Sequence, residues 1–537
     1  MAYLKIDRKQ DGQYIRIVKS KRKEGKAVKE TIYSLGRVED YTPEEMLRRF
    51  GERFYELGGG DPRELLRGAI EELGRFNYGY YQVYHKIFLH YGIDKLLKRF
   101  AQKHKLKFNL MHAVLLMLLE RLNDPCSKRQ NAFHCQEYFG IEPVELHHLY
   151  RSLDYLADYN ELIQQQIFST GRNLFNQTLD VVFYDVTTFY FESEIENENA
   201  LRQKGFSKDG KIGKTQVLFA LLIDKEKNPI GFEVFPGDTF EGHTLETAVK
   251  RLKEKYQIKD VVLVADRGML SKANIEVVES HQYQFIVGDK IKMLPLEIKN
   301  YLLDLKNYTR EWTLPADENH TVRYASIAHE GRLIIATYSE KRAKKDRQER
   351  EEKIKRAEQL LKHPSQLNKK AHHYFLKNDG QTKYSINQER VHQSEKYDGL
   401  LAIATNARQL DAETILDHYT HLFQIEHSFR TFKSYMETRP MFHWTDKRIL
   451  GHLTLCFIAY ALLNYAQRKL DNHHVHVTEN QLRSLLDKMQ VSLVKSQDHY
   501  FYLRSNLPDE VRNILNKLGL KQLPNILPQK EIVHYLN

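Results

Sequence analysis

The chain is poor in cysteine, with Cys126, Cys135 and Cys456 the only three among 537 residues. So few, so scattered, they are expected to form neither a disulfide framework nor a zinc site, and they fit a reducing compartment. Long apolar runs are also missing. The greasiest stretches, Leu110 to Leu119 and Leu453 to Leu463, fall well short of the roughly 20 residues that a membrane span needs. Core helices are expected in both places. The opening MAYLKIDRKQDGQ holds no apolar signal core. There are no internal repeats, and no helix-turn-helix pattern is clean enough to name a recognition helix.

What is present describes a soluble, globular protein. Apolar residues make up 41% and charged residues 28%, the balance of a chain able to bury a core. The length suggests three or four domains. A formal net charge of +11 and a pI of about 9.1 favour a polyanionic partner, nucleic acid before membrane. The 71 acidic residues mixed among the 82 basic ones spread that charge thinly.

Six regions follow from the texture of the chain. Residues 1–60 read as basic β-hairpins plus a helix. Asp11-Gly12 and Glu24-Gly25 mark turns between the β-rich runs YIRIV and TIYSL, and Thr42, Pro43 and Glu45 resemble a capping box. A basic β-ribbon suits a DNA groove, though a basic hairpin tip is often just solvated. Residues 61–175 read as helical throughout, with Lys95, Lys98, Arg99, Lys103, Lys105 and Lys107 as a basic edge. Residues 176–290 alternate three strands, helix, strand, helix, strand, the order of an RNase H-like α/β core. Residues 291–411 form a β-rich insertion with a charged helix from Lys341 to Lys362. Its pairs Glu349–Lys353, Glu351–Lys355 and Glu352–Arg356 suit a solvated or domain-bridging helix better than a DNA-binding one. Residues 412–475 return to the core, and 476–537 read as a helical tail. The histidines His473, His474 and His476 lack cysteine partners and read as a solvated loop.

Three carboxylates need an explanation. Asp185 interrupts VVFYDVTTFYF, a strand apolar or β-branched on both faces, with Thr187 on its own face. An ionised carboxylate there costs several kcal/mol unless a cation or proton compensates it. Asp266 ends the buried run DVVLVA, where open α/β sheets place ligands. Glu426 lies in DHYTHLFQIEHSFRTFKSYMETRP, from Asp417 to Pro440. Read as one helix, this stretch puts Leu422, Ile425, Phe429, Phe432 and Met436 on an apolar stripe, with Tyr419, Glu426, Arg430 and Lys433 beside it. Each feature has a plain alternative: a bulge or edge residue, a turn at Asp266-Arg267-Gly268, a surface helix with i,i+4 charge pairs. Three acids converging on one sheet would suit Mg²⁺ or Mn²⁺, which prefer hard oxygen ligands.

Together these residues resemble the DDE transposases of bacterial insertion sequences, in the superfamily named after insertion sequence four. Its Tyr-x2-Arg-x3-Glu-x6-Lys signature matches at Tyr419, Glu426 and Lys433, while the Arg position is Leu422 and Arg430 stands one turn away. YDVTTFYFES, VVLVADRGMLS and IEHSFRTFKS followed by TRPMFHW carry the likeness. It implies an RNase H-like (retroviral-integrase-like) core with a β-rich insertion, and Asp185, Asp266 and Glu426 as a triad for two Mg²⁺ or Mn²⁺ ions. Tyr419 and Lys433 would hold DNA phosphates, with Arg430 and Arg267 as further DNA contacts. The implied partners are double-stranded DNA, as terminal inverted repeats and target, and a second copy of the chain at synapsis. No membrane is involved, and the setting is a bacterial cytoplasm. A structure-selective nuclease of the same fold, or an idle DNA-binding relative, remains open.

Overall fold

The computed structural model describes the chain except residues 1, 10–11, 24–25, 39–42, 60–69, 176–180, 197–199, 207–209, 211–212, 257, 259–260, 267–270, 316, 363–373, 379–383, 497–498 and 533–537. It divides into two compact units. One comprises residues 1–75, 491–504 and 524–531; the other comprises 76–490, 505–523 and 532–537.

The first unit begins with an antiparallel meander of β1 (Ala2–Lys9), β2 (Gly12–Lys23) and β3 (Lys26–Arg37), as the turn signals predict. Ile15, Val18 and Leu35 form its small buried core, while Lys19 and Lys21 are exposed. Helix α1 (Pro43–Leu57) starts on its proline, whose fixed φ and missing N–H suit a first helical position. Thr42 of the expected capping box lies outside the described residues. A second sheet joins β4 (Ile70–Asn77) to β17 (Gln490–Ser496), β18 (His499–Arg504) and β19 (Ile526–Pro528).

This second sheet corrects two expectations. Residues 61–175 are not helical throughout, because β4 intervenes. Its side chains are mostly exposed, so backbone pairing holds it and no apolar alternation betrays it. The C-terminal tail is not simply helical either. QVSLVKS and HYFYLR are rich in β-branched and aromatic residues and form a hairpin, pairing Val491 with Arg504 through Ser496 with His499.

The second unit opens with a π-helical turn, Tyr81–His85, leading into α2 (Lys86–His90), α3 (Ile93–Lys103), α4 (Leu110–Asn123), α5 (Lys128–His134), α6 (Leu146–Asp158) and α7 (Asn160–Phe175). Helix α4 is wholly buried from Ala113 to Leu122, and all six lysines and arginines of the basic edge are exposed. Then come β5 (Val181–Tyr190), β6 (Gln203–Lys204), β7 (Thr215–Asp224), β8 (Pro229–Pro236), α8 (Leu245–Glu254), β9 (Val262–Ala265), α9 (Lys272–Ser280) and β10 (Gln284–Asp289). Ser271 caps α9 as its position predicts, accepting from the backbone N–H of Asn274 at 3.1 Å.

Across the sheet the core strands run β8-β7-β5-β9-β10. Strand β7 is antiparallel to both neighbours, while β9 is parallel to both β5 and β10. This is the RNase H-like order. The insertion supplies α10 (Leu296–Leu303), β11 (Arg310–Leu314), β12 (Asp317–His329), β13 (Arg332–Tyr338), α11 (Glu340–Lys362), the short β14 (Leu376–Asn378) and β15 (Tyr384–Ile386), α12 (Gln388–Glu395) and β16 (Leu400–Thr405). Its main strands do not make a sheet of their own. Strand β16 pairs antiparallel with β10, and β13, β12 and β11 follow, giving one ten-stranded mixed sheet.

The chain returns through α13 (Ala412–Thr420), α14 (Phe423–Arg430), α15 (Asp446–Asp471), α16 (Glu479–Asp487) and α17 (Asp509–Leu518). By length and composition α15 could cross a membrane, but 83% of its apolar window is buried inside the fold. It is a core helix.

Candidate active site

The period of two along β5 sorts its side chains to opposite faces of the sheet. Val182, Tyr184 and Val186 join Leu263 and Ala265 of β9 in the apolar cluster beneath α8 and α9. Phe183, Asp185, Thr187 and Phe189 therefore point to the other face, and so does Val264. The parallel register pairs Tyr184 with Ala265. Asp185 follows Tyr184 within β5 and Asp266 directly follows Ala265, the last residue of β9, so each acid comes one residue after the last pair of that ladder. Asp185 is half-buried and accepts the Val186 N–H at 2.7 Å; Asp266 is exposed.

The second face is covered by α14 and α15. The rings of Phe429 and Phe432 pack on Phe219 of β7, with centroids 6.4 and 5.2 Å away, and Phe457 packs on Phe232 of β8 at 5.0 Å. Ile425, Phe429, Phe432 and Met436 are buried, as the apolar stripe predicts. This anchors α14 and leaves Glu426 exposed one turn before Phe429. Glu426 and Asp266 line one cleft of about 570 Å³, together with Tyr419, Leu422, Phe423 and Arg342.

The single helix expected from Asp417 to Pro440 is not continuous. It breaks at His421-Leu422, where Gln424 and Ile425 donate back to His421 and Leu422 with i+3 spacing, at 2.9 and 3.2 Å. It then widens into a π-helical turn, Thr431–Tyr435, where the Met436 N–H reaches the Thr431 carbonyl at 2.9 Å. Each irregularity shifts the helical phase, so a regular wheel misplaces residues on either side of α14. Tyr419 still faces the cleft from α13. Leu422, expected on the apolar stripe, is only half-buried and lines the cleft. Arg430 is exposed and Lys433 half-buried, and neither is among the residues lining the cleft. Thr187 is buried, and Arg267 lies outside the described residues.

The charged helix α11 is mostly exposed, as expected. Its predicted pairs Lys353–Glu349 and Arg356–Glu352 are seen at 4.0 and 3.6 Å. Its first turns, however, are not merely solvated. Lys341, Arg342 and Lys345 line a second cleft of about 440 Å³ with Trp312 of β11. This cleft shares Leu314, Arg342, Leu401, Tyr419 and Thr420 with the first, so the two adjoin. The missed signal was local composition: KRAKK opens the helix, and most of the glutamates come later.

The donor set fits a divalent cation. Asp185, Asp266 and Glu426, the last two lining a single cleft, offer only hard oxygen ligands, which is what Mg²⁺ or Mn²⁺ requires.

Residues 176–462, just over half of the chain, match the family model described as a transposase DDE domain. The chain belongs to that family, and so is a DDE-type transposase. Among solved structures it is similar to a piggyBac transposase synaptic complex with hairpin DNA, at 8% identity over 71% of this chain and 70% of that one, with a TM-score of 0.36. It is also similar to Mos1 transposase in a paired-end complex with the left transposon end, at 13% identity, 36% and 66% coverage and a TM-score of 0.14. A Mos1 paired-end complex with Mn gives 17% identity, 36% and 57% coverage, and the same score. The chain thus spans under two thirds of the Mos1 chains. No curated protein matches it. The assignment rests on the family match.

Proposed function

We propose that this chain is a transposase of the insertion-sequence-four type that cuts transposon ends and joins the freed 3′ hydroxyl to target DNA. Asp185, Asp266 and Glu426 would be its catalytic and metal-holding residues. The observation that supports the reading is the β5–β9 register, whose last pair is followed by Asp185 on one strand and Asp266 on the other, together with the cleft that Asp266 and Glu426 both line. Bound by these acids, two Mg²⁺ or Mn²⁺ ions would neutralise phosphate charge and acidify a coordinated water.

The chain's own groups have the remaining tasks. Tyr419 and Arg342 would orient the scissile strand by donating to phosphate oxygens, Arg342 as a planar fork suited to phosphate. Lys341 and Lys345 would continue the path along the second cleft. Lys433 and Arg430, outside the cleft lining, would hold DNA further from the reacting phosphate. No side chain need attack the DNA, since water and then the DNA 3′ hydroxyl serve as nucleophiles. The remaining partners would be terminal inverted repeats, target DNA and a second copy at synapsis, in a bacterial cytoplasm.

The test offers the protein cognate end DNA, Mg²⁺ and a target plasmid. Cleavage and joining by the natural chain, both lost in Asp185→Asn with end binding retained, are the expected results. Cutting without joining would make it a nuclease. Binding without metal-dependent chemistry in the natural chain would make it an idle relative. Normal cutting by Asp185→Asn would remove the triad.

A further inference from the structure

We infer that the corner between α4 and α5 is a second metal site, of the zinc class, with Glu120, Cys126 and His134 as protein ligands and water in the fourth position. The inference is independent of the acidic cleft. Glu120 sits in the last turn of α4, Cys126 in the connecting turn and His134 at the end of α5. One ligand atom from each lies within 4.8 Å of the other two.

The groups converge on one point. Glu120 Oε2 accepts from Cys126 Sγ at 2.8 Å and Asn131 Nδ2 at 3.0 Å, and lies 3.3 Å from His134 Nδ1. Tetrahedral zinc, with bonds of about 2.0–2.3 Å, holds its ligand atoms roughly 3.3–3.7 Å apart. Seating the ion therefore leaves the Glu120–His134 edge near its present 3.3 Å and opens the Cys126–Glu120 edge from 2.8 Å by roughly 0.5–0.9 Å. Binding replaces the thiol proton: the S–H bond breaks, a sulfur–metal bond forms and the proton leaves to solvent.

Surrounding groups are placed as supports. Asn131 also donates to Cys126 Sγ at 2.9 Å, and its own carbonyl accepts from Lys128 Nζ at 3.1 Å, which fixes the amide beside the sulfur. The second ring nitrogen of His134 lies 2.6 Å from the Gln130 amide, leaving Nδ1 to face the cluster. With that amide turned so that its oxygen accepts from Nε2–H, the arrangement is the usual second partner of a metal-bound histidine. Glu120 is 2% exposed while His134 is 18% exposed and Cys126 half-buried. The cluster thus has a closed floor and an open rim for water.

Counting cysteines gave no zinc site, because a glutamate and a histidine stand where further cysteines were sought. The corner also bears on the enzyme. Arg121, next to Glu120, donates to the carbonyls of Met436 at 2.8 Å and Glu437 at 3.4 Å, where the chain leaves the π-helical turn after α14. Fixing the corner fixes that anchor.

The full-length protein tests this directly. It would be purified with zinc present, dialysed into Mg²⁺ buffer, and analysed for metal content. Cd²⁺ titration of metal-stripped protein would read the thiolate-to-metal absorbance band. One zinc per chain and one equivalent of that band are expected, both retained in Cys135→Ser and in Glu426→Gln. Cys126→Ser should abolish the band, and His134→Gln should weaken zinc binding at least about 100-fold. Folded natural protein that shows no band with Cd²⁺, a measurement that needs no variant, would overturn the site. So would unchanged zinc content in folded Cys126→Ser. Loss of transposition in Glu426→Gln with zinc retained keeps this result separate from the fate of the catalytic proposal.

Discussion

The two faces of the central sheet are built from alternate residues of the same strands, yet they do opposite things. On one face Tyr184, Leu263 and Ala265 vanish under α8 and α9. Glu233 of β8 is buried against Arg251, and burial pushes its pKa up to about 7. On the other face Asp185 is only half-buried, and the exposed Asp266 after β9 lines a cleft, without that dry enclosure. The difference teaches that the acids worth suspecting of chemistry are those the fold leaves reachable. Full burial marks a carboxylate as a problem of stability instead.

The largest expected effect separates the faces by activity. Asp185→Asn, Asp266→Asn and Glu426→Gln should each lower end cleavage by about 10³-fold or more, the order of several kcal/mol of transition-state stabilisation. Melting temperature should stay the same or rise, since each change removes a charge from a cluster of like charges. A variant that loses its fold along with its activity would erase the distinction. Next comes the reverse experiment. Tyr184 is fully buried, and its hydroxyl donates to Thr244 Oγ1 at 2.6 Å. Tyr184→Ala should cost about 3–5 kcal/mol in denaturant unfolding, as large aromatic truncations do. Cleavage per folded molecule should change little.

Much of this contrast was legible in the chain itself. The run apolar on both faces around Asp185, the buried run leading to Asp266 and the three-strand, helix, strand, helix, strand order pointed to the core strands that carry or precede these acids. The stripe Ile425, Phe429, Phe432 and Met436 gave the helix bearing Glu426. What was not legible depends on pairing or phase. Strand β4 has no buried alternation to betray it, and the tail hairpin was overlooked despite its β-branched and aromatic texture. The breaks at His421-Leu422 and Thr431–Tyr435 leave no mark on a regular wheel, so Tyr419 and Lys433 do not keep the phase to Glu426 that one continuous helix would give them, while Arg430, within α14, does. Arg342 was overlooked because its neighbours in the cleft are distant in sequence.

A third effect sharpens the comparison through pH. Glu233 holds its proton in the folded state up to about pH 7, whereas unfolded it would ionise near the ordinary value of 4.5. Between those two values the native state binds more protons, so stability should fall as pH rises and then level off above pH 7. At roughly 1.4 kcal/mol per pH unit, the total is on the order of 3 kcal/mol. Asp224, raised to about 6 by the same burial, adds a contribution of the same sign at lower pH. Glu233→Gln should flatten the slope in urea unfolding between pH 5 and 7. An unchanged slope would mean that the dry face does not hold its acid as described.

The smallest effect lies on the open face. Arg342 lines both clefts and is still half-exposed, with Asp346 as a loose partner at 3.9 Å. Its hold on a phosphate is therefore partly screened, and Arg342→Ala should weaken binding of end DNA by only about 1 kcal/mol, the low end for a charge-assisted hydrogen bond. The salt dependence should fall by close to one unit of slope, since one phosphate contact is lost. Arg342→Lys separates charge from shape: it should restore the salt slope, because the charge is kept, but not the full cleavage rate, because the planar fork is lost. If Arg342→Ala left both slope and affinity untouched, the basic start of α11 would be a solvated surface after all, and the open face would end at the acids.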